Sequence, residues 1–492
     1  MKKTTFGIIV GNRGFFPDAL AKQGRKDILD VVAKNGFNPV ALSMQQTKYG
    51  TIETFEDAKK CAALFAENCE EIDGIIVTLP NFGDEKGVAE TIKRSGLNVP
   101  ILIHAEPDAH TKMSIADRRD SFCGKISVCN NLRQAGIPYT LTKSHTVEVT
   151  SPQFKKDLDD FASVCRIIKG LKNARFGAIG ARTGAFNTVR YSEKILELAG
   201  ISVETIDLSE ILGRVALLAD NDRRVKRKLN VIEKYVTTNP APRGRNMPAS
   251  GGIPADKLLK MAKFGYVVDE WVRETELDGT AIQCWTALQE FFGIVPCTLM
   301  RIMSESLVPS ACEVDITGLL GMYILQLASG TPSALLDWNN NYGSDPDKCV
   351  LFHCSNLPKS FFKPAGGGQD PTPRCGAKMG YQEIIAGAVG KDNTYGTIVG
   401  RIAPATATFC RTTTDDVAGV ISVYVGEGEF TNDKLNTFGG YGVMKIPNLQ
   451  LLMQYICAMG FEHHVAVSLS QKADAIAEAL DSYMGWEVYR HE

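Results

Sequence analysis

Residues 309–357 read PSACEVDITGLLGMYILQLASGTPSALLDWNNNYGSDPDKCVLFHCSNL, and two different periodicities meet inside this stretch. Its first half is an apolar helical run starting at Thr317; its second half holds short strand-like segments, Ala334-Leu-Leu336 and Cys349-Val-Leu-Phe-His353. Carboxylates bracket the helix, Glu313 before it and Asp337 after it, and His353 ends the last strand. A carboxylate that enters a buried helix must be paired, protonated or metal-bound. An acid at a strand end, opening onto polar Asn339-Asn-Asn341, is a common site geometry. Two carboxylates with one or two imidazoles (His353, and the His463–His464 pair in GFEHHVAVS) suit a divalent ion such as Mn²⁺ through mixed oxygen and nitrogen ligands. Each residue alone also has a plainer reading: a helix-start acid serves the helix dipole, and a strand histidine serves as core.

Upstream, continuous apolar runs alternate with helical segments. Phe6-Gly-Ile-Ile-Val10, Gly74-Ile-Ile-Val-Thr78 and Val99-Pro-Ile-Leu-Ile-His104 are the kind of strand buried on both faces of a parallel sheet. Their spacing of roughly thirty residues predicts a doubly wound sheet. A charged helix over 153–169 leads to a second such unit, opened by Arg175-Phe-Gly-Ala-Ile-Gly180. In such sheets ligands meet loops at the carboxyl ends of strands. The loops GNRGFFP (11–17) and GARTG (180–184) are therefore candidates, each equally readable as an ordinary turn; neither is a dinucleotide fingerprint. The Pro/Gly-rich segment 239–254 reads as a lid or an oligomer contact. Downstream of Thr331, alternating segments and turn clusters such as 365–369 predict an antiparallel β domain, sandwich or barrel. The expected α/β architecture is thus two doubly wound domains of Rossmann-like or flavodoxin-like type, 1–168 and 169–330, and a β-barrel-like domain over 331–492.

Composition excludes several classes. The 54 basic residues against 56 acidic ones leave a formal charge of −2 and no basic stripe for nucleic acid. The one cationic cluster, Arg223-Arg-Val-Lys-Arg-Lys228, reads as a solvated helix face. The apolar segment of MKKTTFGIIVGN is too short for a signal peptide, and no apolar run is long enough to span a bilayer. Thirteen cysteines without any C-x-x-C read as reduced core residues of a cytoplasmic protein. Cys349 and Cys354 flank His353, but no second thiol pair in the sequence completes a zinc site there.

The segments ACEVDITGLLG, LLDW, VLFHCS and GFEHHVAVSLS resemble, in that order and at similar spacing, the metal site of the L-fucose and L-arabinose isomerase family. The resemblance implies Mn²⁺ held by Glu313, Asp337 and His464. Asp337 follows the fucose branch, whereas His353 resembles an additional histidine ligand of the arabinose branch. It also implies the three-part layout, with the site at the junction of the second and third parts, and a homo-oligomer, a hexamer, in which an N-terminal domain lends residues to a neighbour. Arg13 resembles an arginine that the fucose branch directs at its sugar, and Gln283 and Trp285 lie where that branch contacts sugar. Some members act on sulfoquinovose, a 6-sulfonated glucose. The expected activity is aldose–ketose isomerisation through an enediol, with Glu313 and Asp337 as acid/base pair and His463 as a sugar contact. The expected substrate is a deoxy- or 6-substituted aldohexose, with a pentose (L-arabinose or D-arabinose) as alternative. Outside this activity stand another metal-dependent carbohydrate enzyme and a non-catalytic sugar-binding protein.

Overall fold

The computed structural model describes residues 3–235, 252–354, 356–362 and 378–492. Residues 239–251 of the Pro/Gly-rich segment and the turn cluster 365–369 fall outside these ranges. The chain forms two compact units, Met1–Lys169 with Glu478–Gly485, and Gly170–Ala477 with Trp486–Glu492.

The first unit is built on a parallel sheet of β1 (Thr5–Val10), β2 (Asn38–Val40), β3 (Gly74–Leu79), β4 (Ile101–Ala105) and β5 (Thr140–Leu141), in the order β2-β1-β3-β4-β5. β1, β3 and β4 are buried at every residue, which is why they read as unbroken apolar runs rather than alternating ones. Between β2 and β3 the helix Phe55–Glu67 opens on a capping box. Thr54 accepts from the Asp57 N–H, and the Asp57 carboxylate accepts from the Thr54 N–H. The tail segment Glu478–Gly485 returns to this unit. Its Tyr483 hydroxyl accepts from the Ile101 N–H at 3.3 Å, and the Thr140 hydroxyl donates to Glu478 at 3.0 Å.

The second unit contains two sheets. One is parallel: β6 (Arg175–Ile179), β7 (Ser202–Ile206), β8 (Gly279–Ile282) and β9 (Ser310–Cys312), in the order β7-β6-β8-β9. The cationic run lies on the helix Arg223–Tyr235, where Val225 and Ile232 face inward and Lys228 reaches Asp269 at 2.6 Å.

The other sheet has nine strands: β10 (Ser333–Asn341), β11 (Lys348–His353), β12 (Lys378–Tyr381), β13 (Tyr395–Arg401), β14 (Ala405–Asp415), β15 (Val420–Phe430), β16 (Gly440–Lys445), β17 (His464–Ser468) and β18 (Glu487–Arg490). Their order is β12-β13-β16-β11-β10-β17-β14-β15-β18, and β15 also pairs with β16. This sheet is mixed, not antiparallel as expected: β13–β16 and β15–β18 run parallel. Alternation reports one buried face and is blind to strand direction. The hairpin β14–β15 inserted between β13 and β16 supplies the long connection that a parallel pair needs.

Between the two sheets runs the helix Ile316–Ser329, buried almost throughout and packed on β14 and β17. A helix apolar all round is a core helix. A Cβ at Gly321 would stand 3.3 Å from both the Ala466 Cβ and the Cys410 carbonyl oxygen, so glycine permits this close approach. The Asp315 side chain caps the helix by accepting from the Gly318 N–H at 2.8 Å.

Candidate metal centre

Glu313 and Val314 join β9 to the buried helix with φ of +56° and +57°. The left-handed region disfavours side chains, β-branched ones most, and each such residue costs on the order of 1–3 kcal/mol. The strain turns the Glu313 carboxylate into the space between the two sheets of the second unit. There the Trp285 Nε1–H donates to its Oε1 at 3.0 Å and the Cys284 thiol does so at 3.1 Å. The other oxygen, Oε2, is buried without a hydrogen-bond partner.

Asp337 faces the same space. The sequence places it at a strand end, but β10 continues to Asn341, past a register shift between Trp338 and Asn340. The polar asparagines are exposed strand residues, not a loop, so Asp337 lies inside the sheet. It pairs with His464 on β17 and with Phe352, the neighbour of His353, on β11. Directly opposed residues of an antiparallel pair share a face, which fixes Asp337 against His464. Asp337 Oδ1 is also buried and unpartnered.

Donor atoms come close in pairs, and Asp337, His463 and His464 offer atoms within 4.8 Å of one another. His353 Nε2 and His464 Nε2 each lie 3.8 Å from Glu313 Oε2, and His464 Nε2 lies 3.5 Å from Asp337 Oδ1. These separations are too long for hydrogen bonds. Two ligands each about 2.1 Å from one ion stand roughly 3–3.5 Å apart at common coordination angles, so the cluster would contract slightly around a cation. Two orphaned carboxylate oxygens facing two imidazoles are what a divalent ion with mixed ligands requires. The donor set therefore fits a metal.

The electrostatics agree. Burial pushes the Glu313 carboxyl up, but His353 and His464 outweigh it and hold it down at about 2. Burial presses His353 down, and the Glu313 and Asp337 carboxylates reverse this and raise it to about 9. His464 is likewise raised against burial, chiefly by Asp315. Each group's charge is thus sustained by its neighbours, an arrangement that a bound cation would replace.

Behind His464 stands a buried ionic network absent from the sequence reading. His464 Nδ1–H donates to Asp315 Oδ2 at 2.8 Å, which leaves Nε2 to face the cluster. Arg411 grips Asp315 with both terminal nitrogens, at 2.6 and 3.1 Å, and Glu462 with Nε at 3.1 Å. Asp315 and Arg411 are completely buried. Arginine inside a strand segment otherwise free of charge, in TFCRTTT, was an available signal for this network.

The remaining expected residues divide. Trp285 belongs to the cluster through Glu313. His463 is more exposed and places Nε2 3.8 Å from Asp337 Oδ1, and burial followed by the His464 charge lowers its pKa. Gln283 accepts the Ala181 N–H at 3.0 Å and so braces the GARTG turn. Gly180 there has φ of +82°, so this glycine serves a tight turn. Arg13 lies in the first unit, where Nε donates to the Gly83 carbonyl at 2.8 Å, a terminal nitrogen pairs with Glu85, and the guanidinium covers the Phe82 ring. Among the described residues, Gln283 makes its side-chain hydrogen bond to the turn and not to the cluster. Phe186, which the sequence reading passed over, packs its ring against Trp285, His463 and His464, with centroids 5.4–5.6 Å apart.

Known proteins resemble this chain in the same sense. Residues 7–172 match the N-terminal domain of fucose/sulfoquinovose isomerases, and residues 351–492 match the C-terminal domain of L-fucose isomerase. A sulfoquinovose isomerase of Alkalicoccus urumqiensis is 23% identical over 63% of this chain, and the match spans 65% of that protein, just under two thirds. A sulfoquinovose isomerase of Priestia aryabhattai is 22% identical over 77% of this chain and 80% of its own length. Among solved structures, a D-threo-3-hydroxyaspartate dehydratase mutant aligns over 94% of this chain and 88% of its own, at 9% identity and a TM-score of 0.12, too low to bear on the fold. Among the described residues, no helix is long and apolar enough to cross a membrane.

Proposed function

The chain belongs to the fucose/sulfoquinovose isomerase family of aldose–ketose isomerases, and from that premise we propose a metal-dependent isomerase of a deoxy- or 6-substituted aldohexose, L-fucose-like or sulfoquinovose. The observation that carries the proposal is the pair of buried, unpartnered oxygens, Glu313 Oε2 and Asp337 Oδ1, facing His353 and His464. Glu313, Asp337, His464 and His353 would hold Mn²⁺, which when bound would supply Lewis acidity toward the sugar's carbonyl and neighbouring hydroxyl.

The protein's own residues then divide the work. Isomerisation moves a proton from C2 to C1 while the carbonyl passes from C1 to C2 through an enediol. Glu313 and Asp337 form the acid/base pair, one taking the C2 proton and the other serving the oxygens. Trp285 and Cys284 anchor one oxygen of Glu313 and leave the other facing the imidazoles. Asp315 and Arg411 fix the ring and tautomer of His464. Arg13, Gln283, Trp285 and His463 are the proposed sugar contacts.

The sulfonated sugar enters because relatives carry that name. A pentose is the second reading, favoured by His353 standing at ligand distance from Glu313. The proposal includes a cytoplasmic homohexamer and three domains, 1–168, 169–330 and 331–492. It takes the last as a barrel, with the β15–β16 pairing as support. Light scattering and limited proteolysis test the assembly and the division.

The deciding experiment is an NMR isomerisation panel in D₂O with L-fucose, D-arabinose, L-arabinose and sulfoquinovose. It is run on wild type with EDTA, with restored Mn²⁺, and on Arg13→Ala. Ketose carrying deuterium at C1, abolished by EDTA and restored by Mn²⁺, is expected. Full turnover in metal-free protein, or no ketose from any aldose, overturns the proposal. Arg13→Ala is expected to lose most with the sulfonated sugar.

A further inference from the structure

Glu313 and His353 have a second set of neighbours. Cys312 Sγ, a Glu313 carboxylate oxygen, a His353 ring nitrogen and Cys354 Sγ all lie within 4.8 Å of one another. Cys354 Sγ is 3.7 Å from His353 Nδ1, whereas His353 Nε2 turns toward Glu313 Oε2. The imidazole therefore stands between two donor sets, one of oxygen and nitrogen, the other bearing sulfur. Cys284 adjoins Cys312, and Cys297 adjoins Cys354, extending the thiol cluster on either side. Of the two cysteines that flank His353 in sequence, only Cys354 takes part. The Cys349 thiol contacts the Met444 carbonyl instead, and the missing second thiol is Cys312, brought in by β9.

We propose that Cys312, Cys354, His353 and Glu313 form a thiol-bearing metal site that captures a soft divalent ion, Zn²⁺ or Cd²⁺, in competition with the oxygen–nitrogen site. Two thiolates, an imidazole and a carboxylate make a tetrahedral set with no open position, the pattern of a closed rather than a catalytic site. Thiolates select Zn²⁺-like ions over Mn²⁺, which favours oxygen ligands. Because Glu313 and His353 serve both sets, an ion held by the thiols withdraws two ligands from the other set and inactivates the protein. A thiol binds such an ion as the thiolate. Capture therefore releases the two thiol protons as the two metal–sulfur bonds form, and it tightens as pH rises.

The test titrates Mn²⁺-loaded protein with Cd²⁺, reading thiolate-to-metal ultraviolet absorption, the ¹¹³Cd NMR shift and isomerase turnover. In wild type, about one equivalent is expected to produce the absorption band, a shift in the range of two sulfur ligands, and loss of turnover. In Cys312→Ala and Cys354→Ala the band weakens, and inhibition requires at least ~10-fold more Cd²⁺, the scale on which loss of one ligand-shell member weakens metal affinity. Cys349→Ala serves as control and keeps the wild-type response. A ¹¹³Cd shift typical of oxygen and nitrogen ligands in wild type overturns the proposal without recourse to any variant. Cd²⁺ sensitivity unchanged from wild type in the two cysteine variants also overturns it. The spectroscopic readouts need no turnover, so failure here and failure of the isomerase reading remain distinguishable.

Discussion

Two buried histidines, one in each unit, have opposite fates. In the first unit, His104 ends inside the parallel sheet, where its Nε2–H donates to the Val147 carbonyl at 2.6 Å and Nδ1 accepts from the Thr78 hydroxyl at 2.9 Å. Burial, assisted by the Lys125 charge and opposed by the Val147 bond, holds its pKa down at about 4. In the second unit, His353 is as deeply buried, yet the carboxylates beside it raise its pKa to about 9. Burial alone makes a histidine a neutral core residue; burial beside carboxylates keeps it charged.

The contrast can be attacked first where charge is held deepest. Arg411→Met leaves Asp315 and Glu462 buried without their partner, and breaking such a pair costs about 3–5 kcal/mol. Denaturant unfolding should show a loss of that size, and Mn²⁺ affinity should fall because Asp315, which orients His464, loses its anchor. A stability change under ~1 kcal/mol would show that the network carries little energy.

Next comes the neutral histidine. Its folded pKa lies below the unfolded value near 6.5, so between about pH 6.5 and 4 the unfolded chain binds the extra proton. Stability should therefore fall as pH drops through that window, by about 3 kcal/mol at 1.36 kcal/mol per pKa unit. His104→Gln should remove this component from the pH profile of unfolding. A profile that is the same in variant and wild type would place the acid sensitivity elsewhere.

The charged side of the comparison is sharpened by Glu313→Gln and Asp337→Asn. Each keeps the volume and removes an anionic donor, so turnover should drop ~100-fold, or about 2.7 kcal/mol in the barrier. Normal turnover in either variant would misplace the acid/base pair. His353→Ala is the finer probe: Mn²⁺ binding as in wild type would leave three protein ligands, Glu313, Asp337 and His464. The smallest effect is expected from Phe186→Ala. Lost ring contacts on Trp285, His463 and His464 should cost about 1 kcal/mol, seen as a ~5-fold fall in kcat/KM. An unchanged kcat/KM would make Phe186 a passive cover.

Much of this was legible in residue order. The unbroken apolar runs of β1, β3 and β4 announce strands buried on both faces, because the inner strands of a parallel sheet are covered on both sides. The candidate ligands Glu313, Asp337, His353 and His464 stand out in the sequence, because charged and imidazole groups interrupt segments otherwise apolar. Strand direction in the nine-stranded sheet could not, since β13–β16 and β15–β18 become parallel only through what is inserted between them. Nor could the return of Glu478–Gly485 to the first unit, where one tyrosine hydroxyl and one carboxylate make the attachment.

By itself, then, the sequence determined the elements, the kinds of chemistry available and the family resemblance, all of which rest on local periodicity and short motifs. Tertiary structure alone decided which charges meet. Asp315 finds Arg411 across 96 residues and His464 across 149, and Cys312 reaches Cys354 only where β9 and β11 end together. It also decided that Asp337 sits within a strand facing His464 rather than in a loop. The physical reason is range. Burial of apolar surface is written into every few residues, whereas a buried charge is tolerable only beside a partner that the fold must bring to it.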